Sequence, residues 1–78
     1  MAKKIDKLLK GVKLSTFFIG SDGGMAIMHL EVTSDKVVKI GGIETMECTN
    51  INTQTSKTYG IKALLKNHND LVASGKLD

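Results

Sequence analysis

Five side chains are the plausible candidates in the sequence for metal binding or acid–base catalysis, and they are scattered along the chain. They are His29, Glu31, Glu47, Cys48 and His68. No pair among the histidines and the cysteine has the C-x₂-C or H-x₃₋₅-H spacing of a zinc site. A catalytic nucleophile also needs a base within reach and a group that orients the base, and no short motif selects such a set. The pattern therefore predicts a protein that is not an enzyme and that holds no metal and no cofactor.

Several of these residues have a structural interpretation instead. His68 falls on the apolar stripe of a predicted helix, so we expect a core histidine whose ring nitrogens are hydrogen-bonded. Cys48 is expected as a small, half-buried residue of a strand. Glu44 and Glu47 flank Met46 on a strand that we expect at the edge of a sheet, where charges discourage pairing with another chain.

The glycine-rich run at residues 20–24 is a candidate phosphate loop only by composition. A P-loop has the form GxxxxGK[ST] and leads into a helix. Here the lysine is missing and an apolar, strand-like run follows. Asp22-Gly23 between two such runs instead predicts the turn of a β-hairpin.

Lysine supplies all eleven basic residues, and five of them lie in the first thirteen positions with only Asp6 against them. These five are Lys3, Lys4, Lys7, Lys10 and Lys13. One interpretation is contact with nucleic-acid phosphates, and the other is the solvated side of a packed helix. The chain has no arginine to read guanine and only three aromatic residues to stack on bases, so any such binding would be mainly electrostatic.

Length and composition limit the architecture. The 78 residues are enough for one small domain, residues 1–78, and the 41% hydrophobic and 24% charged content is typical of globular proteins. No apolar run approaches the roughly 20 residues of a membrane span, and the charged N-terminus lacks the apolar segment of a secretory signal. One cysteine allows no intrachain disulfide, which favours the cytoplasm.

The elements that must position these residues follow from the hydrophobic periodicity. We predict an α+β fold with a short N-terminal helix at residues 3–10, a three- or four-stranded antiparallel meander, and a C-terminal amphipathic helix at residues 58–74 packed on the sheet. The strands are predicted at residues 12–20, 25–33, 37–40 and 43–51. Gly41 and Gly42 are either a tight turn or a bulge.

One face of the predicted hairpin is richer in apolar residues than a solvent-facing surface usually is. Its candidate binding residues are Phe17, Ile19, Met25, Ile27 and His29. This face suggests a small regulatory or accessory protein, such as an inhibitor or adaptor of the type that phages and mobile elements encode, which binds a protein partner or a second copy of itself. The alternative is a nucleic-acid-binding module that uses the N-terminal lysines.

Overall fold

Five antiparallel strands and one helix make up residues 3–77, the part of the chain that the computed structural model describes. The elements are β1 (Lys13–Ile19), β2 (Met25–Val32), β3 (Val38–Ile40), β4 (Ile43–Asn50), β5 (Ser56–Gly60) and α1 (Ile61–Ala73). The predicted α+β class, an antiparallel sheet with a C-terminal helix, is confirmed. The predicted strand count was too low, because a fifth strand forms.

The loop at residues 20–24 reverses the chain and joins β1 to β2 as a hairpin. The loop is closed by a hydrogen bond from the N–H of Gly20 to the carbonyl of Gly24, at 2.8 Å. Within it, the Asp22 carboxylate accepts the N–H of Gly24 at 2.9 Å, and Gly23 has a positive φ of 82°. The carboxylate and the glycine are the features that favour a turn here, so the Asp-Gly prediction is confirmed.

Strand β4 lies in the interior of the sheet. Its N-terminal part pairs with β3 and its C-terminal part pairs with β2, while β5 pairs with residues 45–49 of the same strand. Because β5 overlaps both of the other pairings, β2 and β3 must lie along one edge of β4 and β5 along the other. The strands therefore do not follow the simple meander that the sequence predicts: β2 pairs with β4 rather than with β3, and β5 is the final strand.

This topology overturns the interpretation of two acidic residues. Glu44 and Glu47 belong to β4, which has partners along both edges, so they do not guard an exposed strand edge. They also project from opposite faces of the sheet, because they are three positions apart in a strand. The Glu47 carboxylate accepts a hydrogen bond from the hydroxyl of Thr33, at 3.0 Å.

Gly41 and Gly42 form a two-residue turn between β3 and β4. Ile40 pairs directly with Ile43, and the two glycines between them have φ values of +57° and +82°. Positive φ at both central positions is what a type I′ hairpin turn requires, and glycine adopts it without strain. The structure therefore decides for the turn and against the bulge.

Strand β5 occupies residues that the sequence predicts as loop and helix start. Thr58 and Tyr59 have modest helix propensity, and pairing with β4 satisfies their backbone groups instead. The helix therefore begins at Ile61, after Gly60, rather than at residue 58 as predicted, and no side-chain hydrogen bond caps its start.

The end of α1 matches the prediction. The N–H of Gly75 donates to the carbonyl of Val72, and the N–H of Lys76 donates to that of Leu71, which is the Schellman arrangement. Gly75 has the positive φ of 74° that this motif needs. No helix in residues 3–77 is long and apolar enough to span a membrane.

The core lies between α1 and one face of the sheet, which we call the core face. Leu64 and Leu71 of α1 are buried, as are Leu14, Leu30 and Cys48 on the strands. Strand residues of the core face alternate with those of the opposite face, which we call the outer face. The core cluster draws its strand residues from the core face, whereas Ile19, Met25 and His29 of the outer face are exposed.

Residues 3–12 do not form the predicted N-terminal helix. Side chains of α1 bind their backbone instead: Asn69 bonds both the N–H and the carbonyl of Ile5, and His68 bonds the carbonyl of Lys3. A helix of two turns is marginal in isolation, so these bonds outweigh it. Leu8 is still buried in the core, as its apolar character requires.

Candidate functional site

Four apolar side chains lie together on the outer face of the β1–β2 hairpin. The strand register pairs Phe17 with Ile27 and Ile19 with Met25. Ile19 is 64% exposed and Met25 is 44% exposed, whereas Phe17 and Ile27 are half-buried. Directly opposed side chains on neighbouring strands are in contact distance, so the four make one surface. We call this surface the apolar patch.

His29 lies at one end of the apolar patch and is bonded to a serine. The register places it opposite Ser15, and the Ser15 hydroxyl and the His29 Nδ1 are 2.7 Å apart. Ser15 is buried and His29 is exposed. The sequence analysis did not single out Ser15. A two-residue Asp22-Gly23 turn would make paired residue numbers sum to 45 and place Leu30 opposite Ser15. The loop that forms has three residues between Gly20 and Gly24, so the sum is 44, and the sequence pattern alone did not predict the Ser15–His29 pairing.

The Ser15–His29 pair lacks the other parts of a nucleophilic site. Among residues 3–77, no carboxylate accepts a hydrogen bond from His29 to orient its ring. The N–H of Ser15 donates to Nδ1 of His68, at 3.1 Å, so it is not available to stabilise an oxyanion. The arrangement suits hydrogen bonding to a bound group better than covalent catalysis.

His68 is a structural residue with both ring nitrogens in use. Its Nδ1 accepts the N–H of Ser15, and its Nε2 lies 2.7 Å from the carbonyl oxygen of Lys3. Since a carbonyl can only accept, the neutral ring must carry its proton on Nε2. The side chain is buried, so the sequence-based interpretation of a hydrogen-bonded core histidine holds.

Cys48 and His29 do not come together. Cys48 is fully buried on the core face and pairs with Val32, whereas His29 projects from the outer face. Burial, and after it the charge of Glu47, raises the pKa of the Cys48 thiol from 9.0 to about 11. A thiol in this state is a poor nucleophile and a poor metal ligand. Within residues 3–77 no three histidine, cysteine or acidic side chains are grouped to hold a metal ion.

The five N-terminal lysines are all exposed, but no helix aligns them on one side. Four lie along residues 3–10, which run past α1 in irregular conformation, and Lys13 begins β1. Lys3 and Lys13 line a pocket of about 650 Å³ together with Ser15 and His29. The structure thus brings two of the N-terminal lysines next to His29 of the hairpin face, although the sequence analysis treated the lysines and that face as alternative binding surfaces.

A second exposed apolar surface lies at the β3–β4 hairpin. Val38, Ile40 and Ile43 are exposed there, and β3 has neighbours only in β4. The sequence analysis did not propose this surface, although the alternating Val38-Lys39-Ile40 run next to two turn glycines was a usable signal.

Comparison with protein-family models, with curated proteins and with solved structures gave no significant match. The site is therefore interpreted from its own geometry.

Proposed function

We propose that this chain is a small regulatory or accessory protein, without catalytic activity of its own, that binds a protein partner through the apolar patch. The observation that carries the proposal is the pair of cross-strand neighbours, Phe17 with Ile27 and Ile19 with Met25, on the face of the sheet opposite the core cluster. Contiguous exposed apolar surface rimmed by polar residues is typical of protein interaction sites.

The surroundings of the patch support a protein partner. His29 and Ser15 at one end provide polar groups of the kind found at interface rims. Next to the patch, the outward-facing backbone of β1 at Phe17 and Ile19 pairs with no strand of residues 3–77, because β2 pairs with its other edge. An extended segment of the partner can add to such an edge while its side chains cover the patch. We place this activity in the cytoplasm, which the single, unpaired cysteine favours.

The test compares two exposed isoleucines on different surfaces. Ile19 is 64% exposed in the apolar patch, and Ile43 is 61% exposed in the β3–β4 hairpin. Tagged wild-type, Ile19→Glu and Ile43→Glu proteins are incubated with nuclease-treated extract of the native host, and the captured proteins are compared. We expect a partner that wild-type and Ile43→Glu retain and that Ile19→Glu loses, with about tenfold weaker binding or more for the purified pair.

Three results would contradict this proposal. A partner that is retained by Ile19→Glu and lost by Ile43→Glu would move the interface to the β3–β4 hairpin. Self-association of the purified chain that Ile19→Glu abolishes, seen by analytical ultracentrifugation, would make the occupant a second copy. Partners that are captured from untreated extract but lost from nuclease-treated extract would favour the alternative function.

The alternative, nucleic-acid binding, is supported by the exposure of all five N-terminal lysines. Replacing them with glutamine would then abolish binding to an arbitrary duplex, and wild-type binding would fall steeply with salt. The absence of a helix in residues 3–12 weakens this case, because the lysines are not presented along one side of a regular element.

A further inference from the structure

The pocket beside the apolar patch combines two kinds of surface. It has a volume of about 650 Å³, and Lys3 and Lys13 contribute cationic side chains to its lining. Its aliphatic lining residues are Ile5, Leu14, Ile51 and Leu77. The N–H of Ile51 donates to the carbonyl of His29, at 2.9 Å, which fixes the chain after β4 as one side of the pocket.

The polar groups of the pocket divide into those already satisfied and those available to a ligand. Both nitrogens of His68 and the N–H of Ser15 are taken by bonds within the protein. The Nε2 of His29 and the side-chain amide of Asn52 make no hydrogen bond to residues 3–77. Because His29 is exposed, its Nε2 is accessible to a bound molecule.

The charge of the pocket favours an anion. No aspartate or glutamate is among its lining residues in the described part of the chain. Glu31 stands opposite Lys13 in the strand register but does not line the pocket, and no ion pair joins the two. Lys4, Lys7 and Lys10 lie on the same N-terminal segment and are exposed, as is Asp6, so the segment adds a net positive potential.

We propose that this pocket binds a carboxylate carried on a short aliphatic body. The lysines would attract the carboxylate, and the aliphatic lining would cover the body. No phenylalanine, tyrosine or tryptophan of residues 3–77 lines the pocket, so a nucleobase would meet only histidine rings and aliphatic side chains there. The carboxylate can come from a free fatty acid or from the C-terminus of a peptide, and the test separates these sources.

The experiment is a ¹H–¹⁵N NMR titration of the full chain with small probes. Octanoate represents the free acid, and N-acetyl-isoleucine represents a peptide chain end. Octanamide and N-acetyl-isoleucinamide have the same aliphatic bodies without the charge, and inorganic phosphate has charge without the body. We expect at least one carboxylate probe to shift the amide signals of Ser15, His29 and Ile51. Added salt should lower the affinity of that probe, because it screens the attraction between the lysines and the carboxylate.

Lysine variants identify the contribution of charge. Lys3→Gln with Lys13→Gln should weaken binding of the carboxylate probe roughly tenfold, which is about 1.4 kcal/mol, because both exposed charges that attract the carboxylate are removed. The matched control, Lys57→Gln with Lys62→Gln, removes the same charge from residues outside the pocket and should leave the affinity unchanged. Both pairs replace exposed side chains, and the unperturbed spectrum of each variant shows whether it is folded.

Four results would overturn the proposal: no shift at these amides with any probe, equal binding of the amides and the acids, equal binding of phosphate, or equal weakening by both lysine pairs. None of these results bears on the apolar patch. Ile19 does not line the pocket, so Ile19→Glu tests the proposed function independently.

Discussion

The side-chain amide of Asn69 satisfies both backbone groups of Ile5. Its Oδ1 accepts the N–H of Ile5 at 2.8 Å, and its Nδ2 donates to the carbonyl of Ile5 at 2.7 Å. A single side chain thus replaces one pair of the hydrogen bonds that a neighbouring strand would make. It joins residues that are 64 positions apart, and with them the N-terminal segment and the helix.

The first prediction concerns this amide. Asn69→Ala should destabilise the protein by about 1–3 kcal/mol, because two part-buried backbone groups lose their partners. The N-terminal segment should detach first, so trypsin should cleave after Lys4 and Lys7 faster than in wild-type. Lys62→Ala, an exposed change on the same helix, should alter stability by no more than about 0.5 kcal/mol. Unchanged cleavage in Asn69→Ala would show that the segment is held by Leu8 in the core rather than by the amide.

The second prediction concerns the protonation of His68. Because Nδ1 accepts the N–H of Ser15 and Nε2 faces the carbonyl of Lys3, the neutral ring should carry its proton on Nε2. Long-range ¹H–¹⁵N NMR at a pH where the ring is neutral distinguishes the two tautomers. A proton on Nδ1 would be incompatible with the bond from Ser15. His68→Leu should cost about 2–4 kcal/mol of stability, because it leaves two polar groups unpaired.

The third prediction concerns Cys48 at alkaline pH. Its pKa is raised to about 11, chiefly by burial and secondarily by Glu47, so the folded state disfavours the thiolate. The thiol's contribution to stability is therefore fully present below about pH 9, its unfolded pKa, and is lost as the pH rises toward 11. The loss should reach about 3 kcal/mol, at 1.4 kcal/mol for each pKa unit.

The measurement is the unfolding free energy from urea titrations at several pH values between 8 and 11. Cys48→Ala is the control, since it cannot form a thiolate, and its stability should fall less steeply. Burial, and after it the charge of Cys48, also raises the pKa of Tyr59. The part due to burial lowers stability at high pH in both proteins, so the difference between the two profiles reports on Cys48. Parallel pH profiles for wild-type and Cys48→Ala would refute the assignment.

The fourth prediction concerns the turn between β3 and β4. Gly42 has φ of +82° with open space where a Cβ would lie, so Gly42→Val should cost about 1–2 kcal/mol through backbone strain alone. Gly41→Asn should cost less, because asparagine tolerates positive φ. Among the described elements, β3 contacts only β4. Amide hydrogen exchange in the variants should therefore be faster than in wild-type at Ile40 and Ile43, while exchange of the core amides changes little.

Several features were predictable from the sequence because their causes are local. The Asp22-Gly23 turn and the alternating residues beside it determine the β1–β2 hairpin. The apolar stripe and Gly75 determine α1 and its end. In each case the residues that decide the structure lie within a few positions of one another, so pattern and propensity are sufficient.

The candidate site was predictable only in part. Alternation placed Phe17, Ile19 and Ile27 on one face, and the register has them there. The pocket was not predictable, because Lys3, His29 and Leu77 come from three distant stretches of the chain. Likewise, Asn67 and Asn69 look unfavourable within a helix, but Asn67 donates to the hydroxyl of Thr16 and Asn69 holds Ile5.

Two segments were predicted wrongly, residues 3–12 and residues 56–60, and only the tertiary structure determined their conformations. The apolar spacing of residues 3–12 suits a helix, but two turns are too few to be stable, and the side chains of His68 and Asn69 capture the backbone instead. Residues 56–60 look like a loop and a helix start, but β4 has an edge that still needs hydrogen bonds. Where local preference is weak, the partner that satisfies the backbone determines the conformation, and that partner is defined only once the chain has folded.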